Sequence, residues 1–247
     1  MRGLRTAGGA RYCSVTITGI HQQHSGSGLQ AVLFDMDGVL VDSEPLWFEA
    51  EQAVMARLGG DWTPDDQKAL VGGSMVVTVD YLRARGRLPA DPAAVERWLV
   101  ESMSTMLSER PLPVMPGAVE LVSEVAAAGV PYGLVTSSER AIMDAVLAGL
   151  PVTFPVTVCA GDVARCKPDP EGYLLAAQKL AVEPRRCVVI EDSPNGVAAA
   201  EAAGCLAVAV PSVVTIPAAP GRVVAASMAD LSLDRLRAEF ARLRDHG

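Results

Sequence analysis

Cysteine and histidine are scarce in this 247-residue chain, and those present are too scattered to build a soft-metal site. Cys13, Cys159, Cys166, Cys187 and Cys205 are odd in number and form no C-x-x-C pair. His21, His24 and His246 lie near the termini. A thiolate–zinc centre and a disulfide framework are thereby excluded, and a reducing, cytoplasmic setting is the expectation. Long apolar runs are missing too. The longest uncharged stretch, residues 202–221, is interrupted by Gly204, Pro211, Pro217 and Pro220, so no membrane-spanning helix is expected.

Positive charge is in deficit. The 21 Lys plus Arg against 29 Asp plus Glu leave a net charge of −8, which argues against nucleic acid or an anionic membrane as the partner. An anionic small molecule fits that balance if a metal and a few cations reverse the sign locally. Acid is absent from the first thirty residues, which are Arg- and Gly-rich and lack the continuous apolar core of a secretory signal. Residues 1–30 are read as a disordered extension and left out of the fold. Nothing points to an oligomer, and a monomer is the expectation.

What is present is a core. Half the residues are hydrophobic and a fifth are charged, the balance of a globular protein. Short apolar runs read as strands at 31–34 (AVLF), 131–135 (PYGLV), 156–161 (VTVCAG), 187–190 (CVVI) and 205–210 (CLAVAV). Helical patterns lie between them, at 118–128, 138–147, 170–180 and 194–203, with another at 231–243. This alternation predicts an α/β fold, a doubly wound parallel sheet covered on both faces. Helical spacing alone fills 44–58, 63–71, 76–85 and 91–107, up to the proline-rich joint RPLPVMPG. The expected organisation is a core of residues 31–43 and 113–247 with an all-helical insert at 44–112.

In such sheets ligands bind beyond the carboxyl ends of the strands. Four groups of polar residues follow apolar runs: Asp35 and Asp37; Thr136, Ser137 and Ser138; Lys167 in CKPDP; Glu191 and Asp192. Taken singly, each has an ordinary structural reading as a turn, a helix cap or a solvated charge. Together, in this order and each at a strand exit, they form the parts of a phosphoryl-transfer site. Hydrolysis of a phosphate monoester needs a nucleophile, neutralisation of oxygen charge and a proton for the leaving group. Asp35 and Asp192 can supply carboxylates to Mg²⁺, with the Asp37 main-chain carbonyl as a third ligand. Thr136 and Lys167 can hold phosphoryl oxygens. Residues i and i+2 of extended backbone point the same way, so Asp35 can attack while Asp37 serves as acid and then base. Gly38 permits a tight bend and main-chain N–H groups turned to phosphate.

DMDGVLVDSEP, VTSS, KPDP and VIEDSPNG, in that order, resemble the four signature motifs of the haloacid dehalogenase-like phosphohydrolase superfamily. The resemblance covers nearly everything from residue 31 onward, and the insert resembles the helical cap of its beta-phosphoglucomutase-like branch. It implies a Rossmann-like core, Asp35 as the nucleophile that forms a phosphoaspartate and Asp37 as general acid/base. It also implies Thr136 and Lys167 as phosphate ligands, Ser137 beside them, and Asp35, Asp37, Asp192 and Glu191 around Mg²⁺. DSEPLW resembles sugar-phosphate phosphatases of that branch, which sets Glu44 either against substrate or simply in the first turn of a helix. Trp47, Trp62 and Met75 are expected as core, with a substrate wall as the alternative.

The expected activity is thus Mg²⁺-dependent hydrolysis of a small phosphorylated metabolite, a sugar phosphate above all. A phosphosugar mutase is the alternative. Such mutases of the branch place an arginine where GGSMVV has Met75, which favours the hydrolase. A non-enzymatic phospho-acceptor domain fits worse, because it pairs its acids in adjacent positions and carries no long helical insert.

Overall fold

Ala31–Phe34 forms β1, a strand of four apolar residues buried on both faces. It is the centre of the computed structural model, which describes residues 28–70 and 73–244. Most of the expected N-terminal extension therefore lies outside the described residues. Five more strands flank β1: β2 (Tyr132–Val135), β3 (Val156–Val158), β4 (Cys187–Glu191), β5 (Leu206–Ala209) and β6 (Arg222–Val224). All pair in parallel, in the order β3-β2-β1-β4-β5-β6. The chain steps outward from β1 to β3, then returns to the other side of β1 for β4. The direction of winding reverses between β1 and β4, and a crevice opens there at the carboxyl ends.

Alternation along each strand builds two apolar layers. Val32, Phe34, Val188 and Ile190 face one side, against α5 (Ala118–Ala127), α6 (Arg140–Gly149) and α9 (Leu233–Arg244). Ala31, Leu33, Cys187 and Val189 face the other, against α7 (Glu171–Lys179) and α8 (Pro194–Ala202). Both faces are covered, which is why the strands read as unbroken apolar runs.

Between β1 and α5 come four helices and, among the described residues, no strand: α1 (Glu44–Arg57), α2 (Pro64–Lys68), α3 (Met75–Arg85) and α4 (Pro92–Glu109). Pro45, Pro64 and Pro92 stand in the first turns of α1, α2 and α4, where a missing N–H costs nothing. The Thr63 hydroxyl and the Asp66 carboxylate close a reciprocal capping box at α2. The chain enters and leaves this helical segment side by side, through an antiparallel bridge between Val41 and Val114. Asp42 N–H donates to Pro113 O and Met115 N–H to Leu40 O across that neck.

Two differences from the expected elements matter. The 138–147 helix begins only at Arg140, because the Ser138 N–H turns back to the Thr136 hydroxyl at 3.0 Å. Residues 136–138 thus form a bend between β2 and the helix. The sequence also shows no sign of β6, three residues long with Val223 as its only buried side chain. Its Arg222 is instead held by both oxygens of Glu201, at 2.8 and 2.9 Å. No helix among the described residues is long and apolar enough to cross a membrane.

Candidate active site

Asp35, the first residue after β1, extends the ladder through its N–H to Ile190 O. Its Oδ1 accepts a hydrogen bond from Lys167 Nζ at 2.5 Å. The same ammonium donates to Glu191 Oε1 at 2.7 Å and to Val135 O at 2.9 Å. An ammonium has three protons, and all three end on protein acceptors. The ends of β1, β2 and β4 and the loop before α7 are tied together at this one nitrogen.

Glu191 is fully buried and saturated with donors. Beyond Lys167, its Oε1 accepts from the Tyr173 hydroxyl at 2.7 Å. Its Oε2 accepts from the N–H groups of Asp192 and Ser193 and from the Ser193 hydroxyl, at 3.0–3.2 Å. Ser193 also caps α8, accepting from Gly196 N–H. A Cβ at Gly196 would lie 1.6 Å from Glu191 Oε1, so only glycine leaves room for this carboxylate.

Asp192 is buried and accepts from the Ser212 hydroxyl at 2.5 Å through Oδ2. Gly38, at φ +72°, passes so close that a Cβ there would lie 1.9 Å from the same oxygen. The Gly38 N–H donates to Val41 O at 2.8 Å. Gly38 was expected to turn that N–H to phosphate; its contribution here is clearance beside Asp192.

Oxygens of Asp35, Glu191 and Asp192 lie within 4.8 Å of one another. Burial first, and then the Glu191 charge, raise Asp35 well above the usual carboxylate range, with Lys167 opposing. The same two causes push Asp192 up to about 7, against the Ser212 hydrogen bond. Burial works against the Lys167 charge, but Asp35 and Glu191 outweigh it and hold the ammonium protonated. One cation thus faces three buried carboxyl groups, a charge deficit that an oxygen-preferring divalent cation would fill. Within the trio the hydrogen bonding divides the tasks. Glu191 has its oxygens engaged by five protein donors, whereas Asp35 Oδ2 and Asp192 Oδ1 have no protein hydrogen bond among the described residues.

Asp37 stands apart from that trio. Its Oδ1 accepts from the Ser43 hydroxyl at 2.5 Å and the Trp47 indole N–H at 3.3 Å. Its Oδ2 accepts from the Ser138 hydroxyl at 2.8 Å and, at 3.5 Å, from Thr136. Both sides of the crevice, the β2 end and the start of α1, therefore hold this carboxyl. Next to it, the Ser137 hydroxyl is buried without a partner.

These groups line an open cleft of about 760 Å³ that continues under the helical segment. Its far side carries Glu44, Trp47, Glu51, Gln67, Met75 and Thr78. Gln67 donates to both the main-chain and side-chain oxygens of Glu44, at 2.7 and 3.0 Å. Burial, and then the Asp37 charge, raise Glu44 to about 7. Glu44 therefore faces the cleft, and so do Trp47 and Met75; of the three expected core residues, Trp62 alone lies off it. Asp42 is exposed.

All ten site residues singled out in the sequence lie at the crevice or directly behind it. Sequence reasoning missed Tyr173, Ser43, Gln67, Glu51 and Ser212. Ser43 lay inside DSEP, so a search for donors flanking the acids would have found it. The others carry no local signal.

A parallel sheet with aspartates at its first strand end, a buried lysine and an acidic trio at the reversal point defines a phosphoryl-handling α/β protein. The model of the haloacid dehalogenase-like hydrolases matches residues 29–204, and the chain belongs to that family. It is 37% identical over 187 residues to hexitol phosphatase B of Escherichia coli K12, covering 74% of this chain and 83% of that one. To fructose-1-phosphate phosphatase YqaB of the same strain it is 36% identical over 181 residues, 72% of this chain and 94% of that one. A mutant of CbbY from Rhodobacter sphaeroides, in complex with xylulose-1,5-bisphosphate, superposes with a TM-score of 0.76 at 28% identity. That match covers 83% of this chain and 98% of CbbY.

Proposed function

We propose that the protein is a Mg²⁺-dependent phosphatase that hydrolyses a small phosphorylated metabolite, a sugar or sugar-alcohol phosphate, through an aspartyl phosphate on Asp35. The observation that carries this reading is the arrangement at the crevice: Lys167 fixes Asp35 Oδ1, while among the described residues Asp35 Oδ2 and the buried Ser137 hydroxyl have no hydrogen-bond partner, and the donor-rich Asp37 lines the same cleft. The names of the curated relatives, hexitol phosphatase and fructose-1-phosphate phosphatase, support the substrate class.

Asp35 and Asp192 would hold the magnesium ion, which when bound supplies the positive charge that lets a carboxylate approach a phosphate dianion. An Asp35 oxygen forms a bond to phosphorus as the bond from phosphorus to the sugar oxygen breaks. The Asp37 carboxyl gives its proton to the departing oxygen. It then takes a proton from a water molecule whose oxygen adds to phosphorus, and the bond from Asp35 to phosphorus breaks to release phosphate. Four donors orient Asp37 for both transfers. Ser137 and Thr136 serve phosphoryl oxygens. Lys167 was expected to grip phosphate; its protons are committed to protein, so it acts by positioning Asp35 and by its charge. Glu191 is assigned to holding Lys167 rather than to the metal.

Met75, not a cation, lines the helical side of the cleft, and among the described residues Lys167 is the only cationic side chain on the lining. A mutase must grip a second phosphate, so this lining favours hydrolysis. Free phosphate released from sugar phosphates with Mg²⁺, abolished by EDTA and by Asp35→Asn, is the expected result. An isomerised phosphosugar without free phosphate, or release unaffected by Asp35→Asn, would refute it.

A further inference from the structure

Two buried polar atoms on this cleft have no hydrogen-bond partner among the described residues, and they belong to opposite walls. Ser137 Oγ stands at the strand ends and Glu51 Oε2 on the helical side. Ser137 falls to the phosphate under the reading above. Glu51 has no place in that chemistry.

Glu51 is 4% exposed and lies on α1. Glu44, Trp47 and Glu51 are spaced i, i+3 and i+7, which sets them along one face of that helix, and all three line the cleft. The Trp62 indole N–H lies close enough to favour the Glu51 charge, but no hydrogen bond of good geometry joins them: Trp62 Nε1 and Glu51 Oε2 have no hydrogen-bond partner among the described residues. A buried carboxyl oxygen left without a donor costs the fold free energy, and such an atom calls for an explanation. A surface glutamate would simply reach water. This one is buried on the wall of the open cleft.

We infer that Glu51 is a specificity-determining residue that hydrogen-bonds a hydroxyl at the end of the substrate remote from its phosphate, so that the cleft selects polyhydroxyl monophosphates lacking a second anion. This rests on the phosphatase reading and deepens it. Glu44, already held by Gln67, is the second carboxyl on this wall. Burial and then the Glu44 charge raise Glu51 to about 8, so near neutrality it carries a proton and can both donate to and accept from hydroxyls. A carboxylate or second phosphate on the substrate would meet two carboxyl groups and Met75, with no cation on that wall among the described residues. Leaving an anion unpaired there is a strong ground for rejection.

The test compares phosphate release from glucitol 6-phosphate, fructose 1,6-bisphosphate, 6-phosphogluconate and p-nitrophenyl phosphate, all with Mg²⁺. Wild type is expected to favour the hexitol monophosphate over both esters that carry a second anionic group by at least about tenfold in kcat/KM. Glu51→Leu is expected to raise KM for the hexitol phosphate by about tenfold and to leave the p-nitrophenyl phosphate constants within about twofold. Glu51→Gln, which keeps a donor and an acceptor, is expected to retain most of the hexitol KM. Equal use of the esters that carry a second anionic group overturns the inference, and that arm needs no variant. So does a Glu51→Leu enzyme whose hexitol KM is unchanged, or whose two substrates suffer alike. Absence of release from every ester, p-nitrophenyl phosphate included, would overturn the phosphatase reading itself and this inference with it.

Discussion

Lys167 Nζ lies 2.5 Å from Asp35 Oδ1 and 2.7 Å from Glu191 Oε1, with all three groups buried. Desolvating two carboxylates is tolerable only because the ammonium sits between them. Lys167→Met is therefore expected to lower stability by about 3–5 kcal/mol at neutral pH in EDTA, through the buried charge left uncompensated. Its kcat is expected to fall by about 10²–10³, as for the loss of one charge-stabilising donor. Chemical denaturation and phosphate release measure the two separately. An unchanged denaturation midpoint would show that Lys167 is no structural hub.

Two glycines give distinct readouts because each shields a different carboxylate. Gly38→Ala would drive a Cβ into Asp192 Oδ2 at a positive φ, so the Mg²⁺ concentration for half-maximal activity is expected to rise by about tenfold or more. Gly196→Ala would instead strike Glu191, whose five hydrogen bonds belong to the fold. A stability loss of about 1–3 kcal/mol or more is expected there, the usual cost of overpacking. Magnesium titrations and melts of both variants check the division, and exchanged phenotypes would undo it.

Asp37 is placed to protonate a leaving oxygen, and that service matters only when the leaving group is poor. Asp37→Asn is expected to lose about 10²–10⁴ in kcat on a sugar phosphate. On p-nitrophenyl phosphate, whose phenolate departs without a proton, the loss should be much smaller. Stopped assays on both esters give the ratio. Equal losses would point to a ground-state role for the Ser43, Trp47 and Ser138 hydrogen bonds instead.

The strand-end groups were legible because β1, β2 and β4 are buried on both faces and read as unbroken apolar runs with polar residues directly after them. Parallel pairing then forces those polar residues to one edge. The division of labour among them was not legible. Whether Lys167 serves phosphate or protein depends on where its three protons end, and that is set by Asp35, Glu191 and the Val135 carbonyl, from three different strand ends. Tyr173 lies in an ordinary helix, and nothing in its neighbours tells that its hydroxyl turns inward. Glu51 was hidden for a different reason. Its helix was recognised from Leu46, Ala50 and Val54, and a charged residue between apolar positions reads as solvent-facing until a second layer covers it.

That covered glutamate also makes a prediction about stability against pH. Burial, then the Glu44 charge, hold the Glu51 carboxyl up at about 8, the Trp62 indole opposing, against an ordinary value of 4.5. Between those two values the native protein keeps a proton that the unfolded chain has released. Stability therefore falls as pH rises from about 4.5 towards 8, and the loss is complete above that range. Glu51→Gln removes the titration while keeping the shape. The variant is expected to be more stable than wild type by up to a few kcal/mol near pH 9, with the gain shrinking towards zero near pH 5. Urea midpoints at about pH 5, 7 and 9 measure it. A difference that stays flat, or that grows as the pH falls, would mean that Glu51 is ionised in the folded protein and finds its partner there.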